Sequence, residues 1–146
     1  MLMEDKYAPL KLSSQLCFPL YACARETIKL YKPWLDELGL TYTQYITMMV
    51  LWEHTSMTVK ELGQELYLDS GTLTPLLKKL EEKGLVTRRR SERDERNLIV
   101  TITEAGEALK DRALHIPYEM AKCITLPKDE IRELYRMLHT LLEYVK

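Results

Sequence analysis

Apolar residues recur at helical spacing through most of this chain and switch to strict alternation in one place. Over about 16–38, Leu16, Leu20, Ala24, Thr27, Tyr31, Trp34, Leu35 and Leu38 mark one helical face, which Pro33 should bend or break and Gly39 should close. Thr41-x-x-Gln44 and Thr58-x-x-Glu61 have the form of capping boxes. The first opens a helix carrying Tyr45, Ile46, Met49, Val50 and Trp52; the second opens one with Val59, Leu62 and Leu66 on its apolar face. A fourth helix, capped by Asp69 or Ser70, should start no earlier than about Gly71, because Pro75 lacks an N–H and fits only a first turn. Its Leu73, Leu76, Leu77 and Leu80 face a core, and Gly84 stops it. Leu98, Val100 and Ile102 then alternate, and with residues 85–90 they predict a hairpin. Thr103 should cap a long helix reaching about Lys122. Pro127 should open a last one with Ile131, Leu134, Leu138, Leu141, Leu142 and Val145 on one face.

Four helices, two strands and two helices predict a mainly α (α+β) chain: a winged helix-turn-helix with a two-stranded wing, plus N- and C-terminal helices. Residues 1–146 read as a single domain, with a DNA-reading unit at about 41–103 and dimerisation helices at about 12–38 and 104–146. The terminal helices carry broad apolar stripes that the middle block does not obviously cover. They either pack on their own chain or meet a second copy, and a twofold dimer is favoured because paired recognition helices suit palindromic double-stranded DNA.

Charge sharpens that picture. From Lys78 to Arg96 there are eight cations and five anions, a local +3 in a chain whose net charge is −1. Attraction to phosphate is thus concentrated at the hairpin and the helix before it. Ser70, Gly71, Thr72 and Thr74 lie at the helix start, where base edges and phosphates are reached, and Lys78 and Lys79 are placed to hold phosphate. Arg88, Arg90, Arg93 and Arg96 supply the hairpin's charge.

Composition removes other classes. At 146 residues, 46% hydrophobic and 29% charged, the chain has the balance of a soluble globular domain. It contains no apolar run of membrane-spanning length, and its N-terminal MLMEDKYAPLKLSS has no signal-peptide core, so the expected location is the cytoplasm and no membrane partner is expected. Gly39, Gly63, Gly71, Gly84 and Gly106 are too widely spaced for a GxGxxG or a GxxxxGK[ST] phosphate loop. HExxH and GxSxG are absent, and His54, His115 and His139 are scattered. No enzyme, no metal site and no cofactor is expected. Cys17, Cys23 and Cys123 form no disulfide framework and should be free thiols in a reducing compartment.

With this element order and the wing sequence Arg93-Asp94-Glu95-Arg96, the chain resembles the MarR family of bacterial winged-helix repressors over nearly its whole length. Leu16-Cys17-Phe18-Pro19-Leu20-Tyr21 is similar to the first-helix motif of the organic-hydroperoxide-sensing branch, the OhrR-type repressors. The resemblance implies that Cys17 is the peroxide-reactive residue and that Tyr31 and Tyr42 hydrogen-bond it. It also implies that Arg96 enters a minor groove with Asp94 beside it. The branch has one-cysteine and two-cysteine forms; Cys123 lies near the late cysteine that resolves the oxidised sulfur in the second form, whereas Cys23 reads as packing.

Geometry tests this constellation independently. Cys17 and Tyr31 are fourteen residues apart on one helix, which at ~1.5 Å per residue is roughly 21 Å. A site holding both must therefore be built across a dimer interface. Cys17 also lies near a helix start, where free N–H groups and the positive dipole end favour the reactive thiolate. Two other functions are open at this level: a MarR-type regulator that binds a small aromatic ligand, with Cys17 structural, and a thiol peroxidase that turns over.

Overall fold

The computed structural model describes residues 5–146; residues 1–4, part of the N-terminal reading, lie outside the described residues. Two 3-10 turns, Ala8–Leu10 and Leu12–Ser14, precede the first long helix. The elements then run α1 (Cys17–Leu30), α2 (Lys32–Leu38), α3 (Tyr42–His54), β1 (Ser56–Thr58), α4 (Val59–Leu66), α5 (Ser70–Glu82), β2 (Val86–Arg90), β3 (Leu98–Ile102), α6 (Glu104–Ala113), α7 (Ile116–Cys123) and α8 (Lys128–Val145). The chain divides into two compact units, the first ending at Leu114 and the second spanning His115–Lys146.

In the first unit the two capping boxes form as their spacing requires. Thr41 and Gln44 satisfy each other's backbone N–H groups, and Thr58 and Glu61 do the same. Leu51, Leu62, Leu73, Leu77, Leu80, Val86 and Val100 are fully buried and join α3, α4, α5 and the sheet into one core. Gly63 lets the α4–α5 connection fold back against α4, because a Cβ there would lie 2.7 Å from the Leu68 carbonyl oxygen.

Four expectations are corrected. The sheet has three strands, in the order β1-β3-β2. The hairpin pairs Val86 with Ile102 through Arg90 with Leu98, and the short β1 adds Ser56–Thr58 to the other edge of β3. Pro75 sits six residues into α5, beyond the first turn. The residue it deprives of a helical bond is Gly71, whose carbonyl lies on an exposed stretch open to water, while Thr74 Oγ1 donates to the Ser70 carbonyl beside it at 2.8 Å. The buried face of α3 is Gln44, Tyr45, Thr47, Met48 and Leu51, and Met49 is exposed. The polar members of that face are tied locally: Thr47 Oγ1 donates to the Thr43 carbonyl at 2.7 Å, and Gln44 belongs to the capping box. Finally, the long helix expected from Thr103 to Lys122 is two helices, because Pro117 is incompatible with the interior of a continuous one and instead opens α7.

Pro33 breaks the first long helix as expected. It stands at the second position of α2, so Tyr31 becomes the junction residue between α1 and α2. The terminal helices differ from the rest in burial. No residue of α1 and none of α8 is buried, and Leu16, Phe18, Tyr21 and Ile28 of the first region and Ile131, Leu134, Leu138 and Val145 of the last are exposed.

Candidate functional site

Asp69 caps α5 by accepting the Thr72 N–H at 2.7 Å, and those hydrogen bonds hold its carboxyl below the usual carboxylate range. Ser70, Gly71, Thr72 and Thr74 are exposed on the first turns of this helix, and Lys78 and Lys79 are exposed further along it. The leucines of α5 fill the core on the opposite face, so the polar face is presented outward by a rigid element.

The hairpin tip is organised by one carboxylate. Asp94 accepts the Arg96 backbone N–H at 3.1 Å, and takes the Arg96 guanidinium with both oxygens, from Nε at 3.1 Å and Nη2 at 3.2 Å. This bidentate fork lowers the Asp94 pKa and sets the direction of Arg96, whose side chain is 90% exposed. Arg90 Nη1 donates to the Glu95 carbonyl at 2.9 Å, bracing the tip from below. Arg93 is exposed, its backbone N–H directed to Ser91 Oγ. Arg88 is different. It faces the core side of the sheet opposite Val100, and its backbone N–H and Nη2 both go to the Glu81 carboxylate, at 3.0 and 3.2 Å. Only 20% of that side chain is exposed, so its charge is spent on α5 rather than offered outward. Arg89, which was not among the expected residues, points to the opposite, open face. There it lines a groove of about 490 Å³ with Arg90, Ser91, Glu92, Arg93, Ile99 and Thr101. Strand alternation was the signal that separates Arg88 from Arg89.

The second cluster is aromatic. Tyr31 at the α1–α2 junction and Tyr42 at the start of α3 lie with ring centroids 5.0 Å apart, although eleven residues separate them in the chain. Tyr45 packs behind both, at 5.8 and 6.4 Å, and Trp52 stands 6.4 Å beyond it, its indole N–H donating to the Gly106 carbonyl at 2.9 Å. Burial raises the pKa of Tyr31 and of Tyr42, with Tyr31 also repelled by Tyr42 when ionised, and Tyr45 is pushed up to about 12. The phenols therefore keep their protons, and remain hydrogen-bond donors, through neutral pH. Periodicity marks Tyr45 only as an apolar helix position; its place behind the pair depends on the α2–α3 turn, which periodicity does not encode.

Cys17 is the first residue of α1 and is exposed; its neighbour Leu16 caps the helix without a side-chain bond. The N–H groups of that turn stay available to an anion beside them. Tyr31 stands at the other end of the same helix. The structure thus brings Tyr31 and Tyr42 together and leaves Cys17 roughly 21 Å away along the axis. Cys23, expected to pack, is exposed, as is Cys123 at the end of α7 in the second unit.

Capped α5, the helix pair α4–α5 and the Arg-tipped hairpin define a winged helix-turn-helix chain. Its relatives agree. A family model described as transcriptional regulator SarA/Rot matches residues 29–113. The chain is 50% identical to the organic hydroperoxide resistance transcriptional regulator of Bacillus subtilis, over 97% of this chain and 96% of that one. It is 42% identical to the HTH-type transcriptional regulator SarZ of Staphylococcus aureus, over 94% and 90%. Among solved structures, reduced AbfR bound to DNA superposes with a TM-score of 0.78 at 35% identity, covering 97% of this chain and 99% of that one. Overoxidised AbfR bound to DNA gives 0.77 at 33%, covering 97% and 100%. The chain belongs to the MarR family of winged-helix transcriptional regulators, in the branch of the organic-hydroperoxide-sensing regulators. Among the described residues, no helix is long and apolar enough to cross a membrane.

Proposed function

We propose that this chain is a homodimeric repressor that binds a palindromic DNA operator and leaves it when Cys17 is oxidised by an organic hydroperoxide. One observation carries the reading: Tyr31 and Tyr42 are assembled 5.0 Å apart at one end of a helix whose other end presents an exposed cysteine. A thiol that far from its phenols meets them only if a second copy supplies them, and α1 and α8 both carry exposed apolar residues suited to such a contact.

In the reduced dimer the two phenols donate to the Cys17 sulfur of the other subunit, and α5 of each subunit enters a major groove. Ser70, Gly71, Thr72 and Thr74 meet base edges and phosphates, Lys78 and Lys79 hold phosphate, and Arg96, aimed by Asp94, enters the minor groove, with Arg90 and Arg93 alongside. The Cys17 thiolate attacks the terminal peroxide oxygen. An S–O bond forms, the O–O bond breaks, the alkoxide leaves and takes a proton to become the alcohol, and the sulfur becomes a sulfenic acid. A second thiol then displaces the hydroxyl as water and forms a disulfide. That thiol is either a small cellular thiol or Cys123. Both changes remove the sulfur as an acceptor for the phenols and shift the population toward a dimer whose reading helices no longer match successive grooves. AbfR is itself known in a disulfide form as well as in the DNA-bound reduced and overoxidised forms, which makes the disulfide arm the one to measure.

The test uses a duplex selected by the reduced protein from a random library. Wild type should release it after cumene hydroperoxide, and Cys17→Ser should bind it and stay bound. Intact mass separates a thiol adduct on Cys17 from a covalent dimer through Cys123. Release by Cys17→Ser under oxidant overturns the redox reading. Release by an aromatic acid with the thiols intact assigns the ligand-sensing function instead, and sustained peroxide consumption with added thiol assigns a peroxidase.

A further inference from the structure

We propose that Lys83 is the positioning residue that ties the recognition helix to the tyrosine end of the redox site, so that a shift at Tyr42 is passed to α5. This rests on the redox reading above.

Lys83 counts among the cations of the basic stretch, but its ammonium is directed back along the surface to the α2–α3 connection. The residue caps the C-terminus of α5, its backbone N–H reaching the Lys79 carbonyl at 3.1 Å. Its Nζ donates to the carbonyl oxygen of Gly39 and to Oε1 of Gln44, the latter at 3.2 Å. Those two acceptors bracket the short connection from α2 to α3. Gly39 ends α2 in the left-handed conformation, with φ +67°. Gln44 is 3% exposed, and its Oε1 is also the acceptor for the Thr41 N–H at 3.0 Å. Tyr42, the first residue of α3, lies with Thr43 between Thr41 and Gln44.

One ammonium therefore closes a loop of contacts. On one side is the turn that carries Tyr42 and sets its ring against Tyr31; on the other is the C-cap of the helix proposed to read DNA. Among the described residues, its two hydrogen bonds are the only side-chain ones from α5 or its cap to this turn. Loss of the phenol hydrogen bonds at Cys17 frees Tyr42. The Thr41–Gln44 box moves with it, and Lys83 must follow or lose both acceptors. A positive group at a helix C-terminus is favourable in either state, so the tie favours the arrangement in which Gly39, Gln44 and the end of α5 are in register. Coupling of this kind needs a contact that differs between the two states, and Lys83 supplies one.

The experiment is Lys83→Met, which keeps the aliphatic stem and removes the donors. Operator affinity is measured for reduced and for peroxide-plus-thiol-treated protein, and Cys17 thiol loss and the melting midpoint are followed in parallel. The ratio of oxidised to reduced Kd should shrink roughly threefold or more relative to wild type, with the rate of Cys17 oxidation unchanged. Lys79→Met, on the outward face of the same helix, should raise both Kd values together and leave the ratio alone. A Lys83→Met ratio equal to wild type overturns the proposal, and a lowered melting midpoint with that equal ratio makes Lys83 a stability tie only. If wild type itself shows no change in Kd on oxidation, the redox reading falls, and this proposal falls with it. That result is read from wild type alone, so the two failures are distinct.

Discussion

The reading head and the terminal helices are built from the same amphipathic pattern and meet opposite fates. In the head, Leu62 of α4, the four leucines of α5 and Val86 and Val100 of the hairpin are buried, and every helix start has a side-chain cap. In α1 and α8 the stripes are as regular, yet no residue in either helix is buried and neither has a side-chain cap. Periodicity tells which face of a helix seeks cover. It does not tell whether the cover lies in the same chain. The head is self-sufficient, while the terminal helices have the surfaces of half a structure, which is why the dimer and the redox site stand together as one proposal.

Damage to each region in turn should therefore have different consequences. Leu138→Asp on α8 should convert a sedimenting dimer into a monomer, leave far-UV ellipticity of the head intact, and weaken operator binding by on the order of 100-fold as the two heads cease to act jointly. Leu77→Ala in the head should keep the dimeric mass while costing about 2–5 kcal/mol of stability, because a fully buried side chain is lost and a cavity is left in its place. Wild-type sedimentation and affinity for Leu138→Asp would remove the contrast.

A smaller effect separates two arginines of the hairpin. Arg96→Ala should weaken binding and lower the salt slope of log K by about one, the signature of a lost phosphate or minor-groove contact. Arg88→Ala should weaken binding with the slope unchanged, since its guanidinium is committed to Glu81 and acts by holding β2 against α5. Equal slope changes in a salt titration would place both arginines on DNA.

That pair also shows what the sequence could and could not tell. Most of the order of elements, both capping boxes and the helix stop at Gly84 were legible because each depends on residues close in the chain, while the Asp94–Arg96 pairing came from the family resemblance. The commitment of Arg88 was not legible, because it depends on Glu81 meeting it across a turn of the fold. The count of charges treats all arginines alike, and so Arg88 stands among the DNA-facing cations in the sequence reading. Pro117 was passed over because the flanking pattern continued through it, and β1 because three residues carry too little alternation to register. At the candidate site, Cys17, Tyr31 and Tyr42 came from a family resemblance. The structure adds that the two phenols meet, that Tyr45 backs them and that Lys83 reaches the turn between them.

Tyr45 gives the finest test of where the head ends and the site begins. Its phenol ionises near 12 in the folded chain and near the ordinary value of about 10 once unfolded. A group whose folded pKa is raised leaves stability intact below the unfolded value, and that contribution is lost as pH climbs toward the folded one. The melting midpoint of wild type should therefore be flat with respect to this group up to about pH 10 and fall between pH 10 and 12. Tyr45→Phe removes the ionisable group and keeps the ring against Tyr31 and Trp52, so its fall over that window should be shallower, by the share that one phenol contributes. Tyr31 and Tyr42, also raised by burial, continue to lose protons in the variant and keep a residual slope. An alkaline melting profile identical to wild type would mean that Tyr45 ionises as freely in the folded protein as in water, and so belongs to the open tyrosine site rather than to the core of the head.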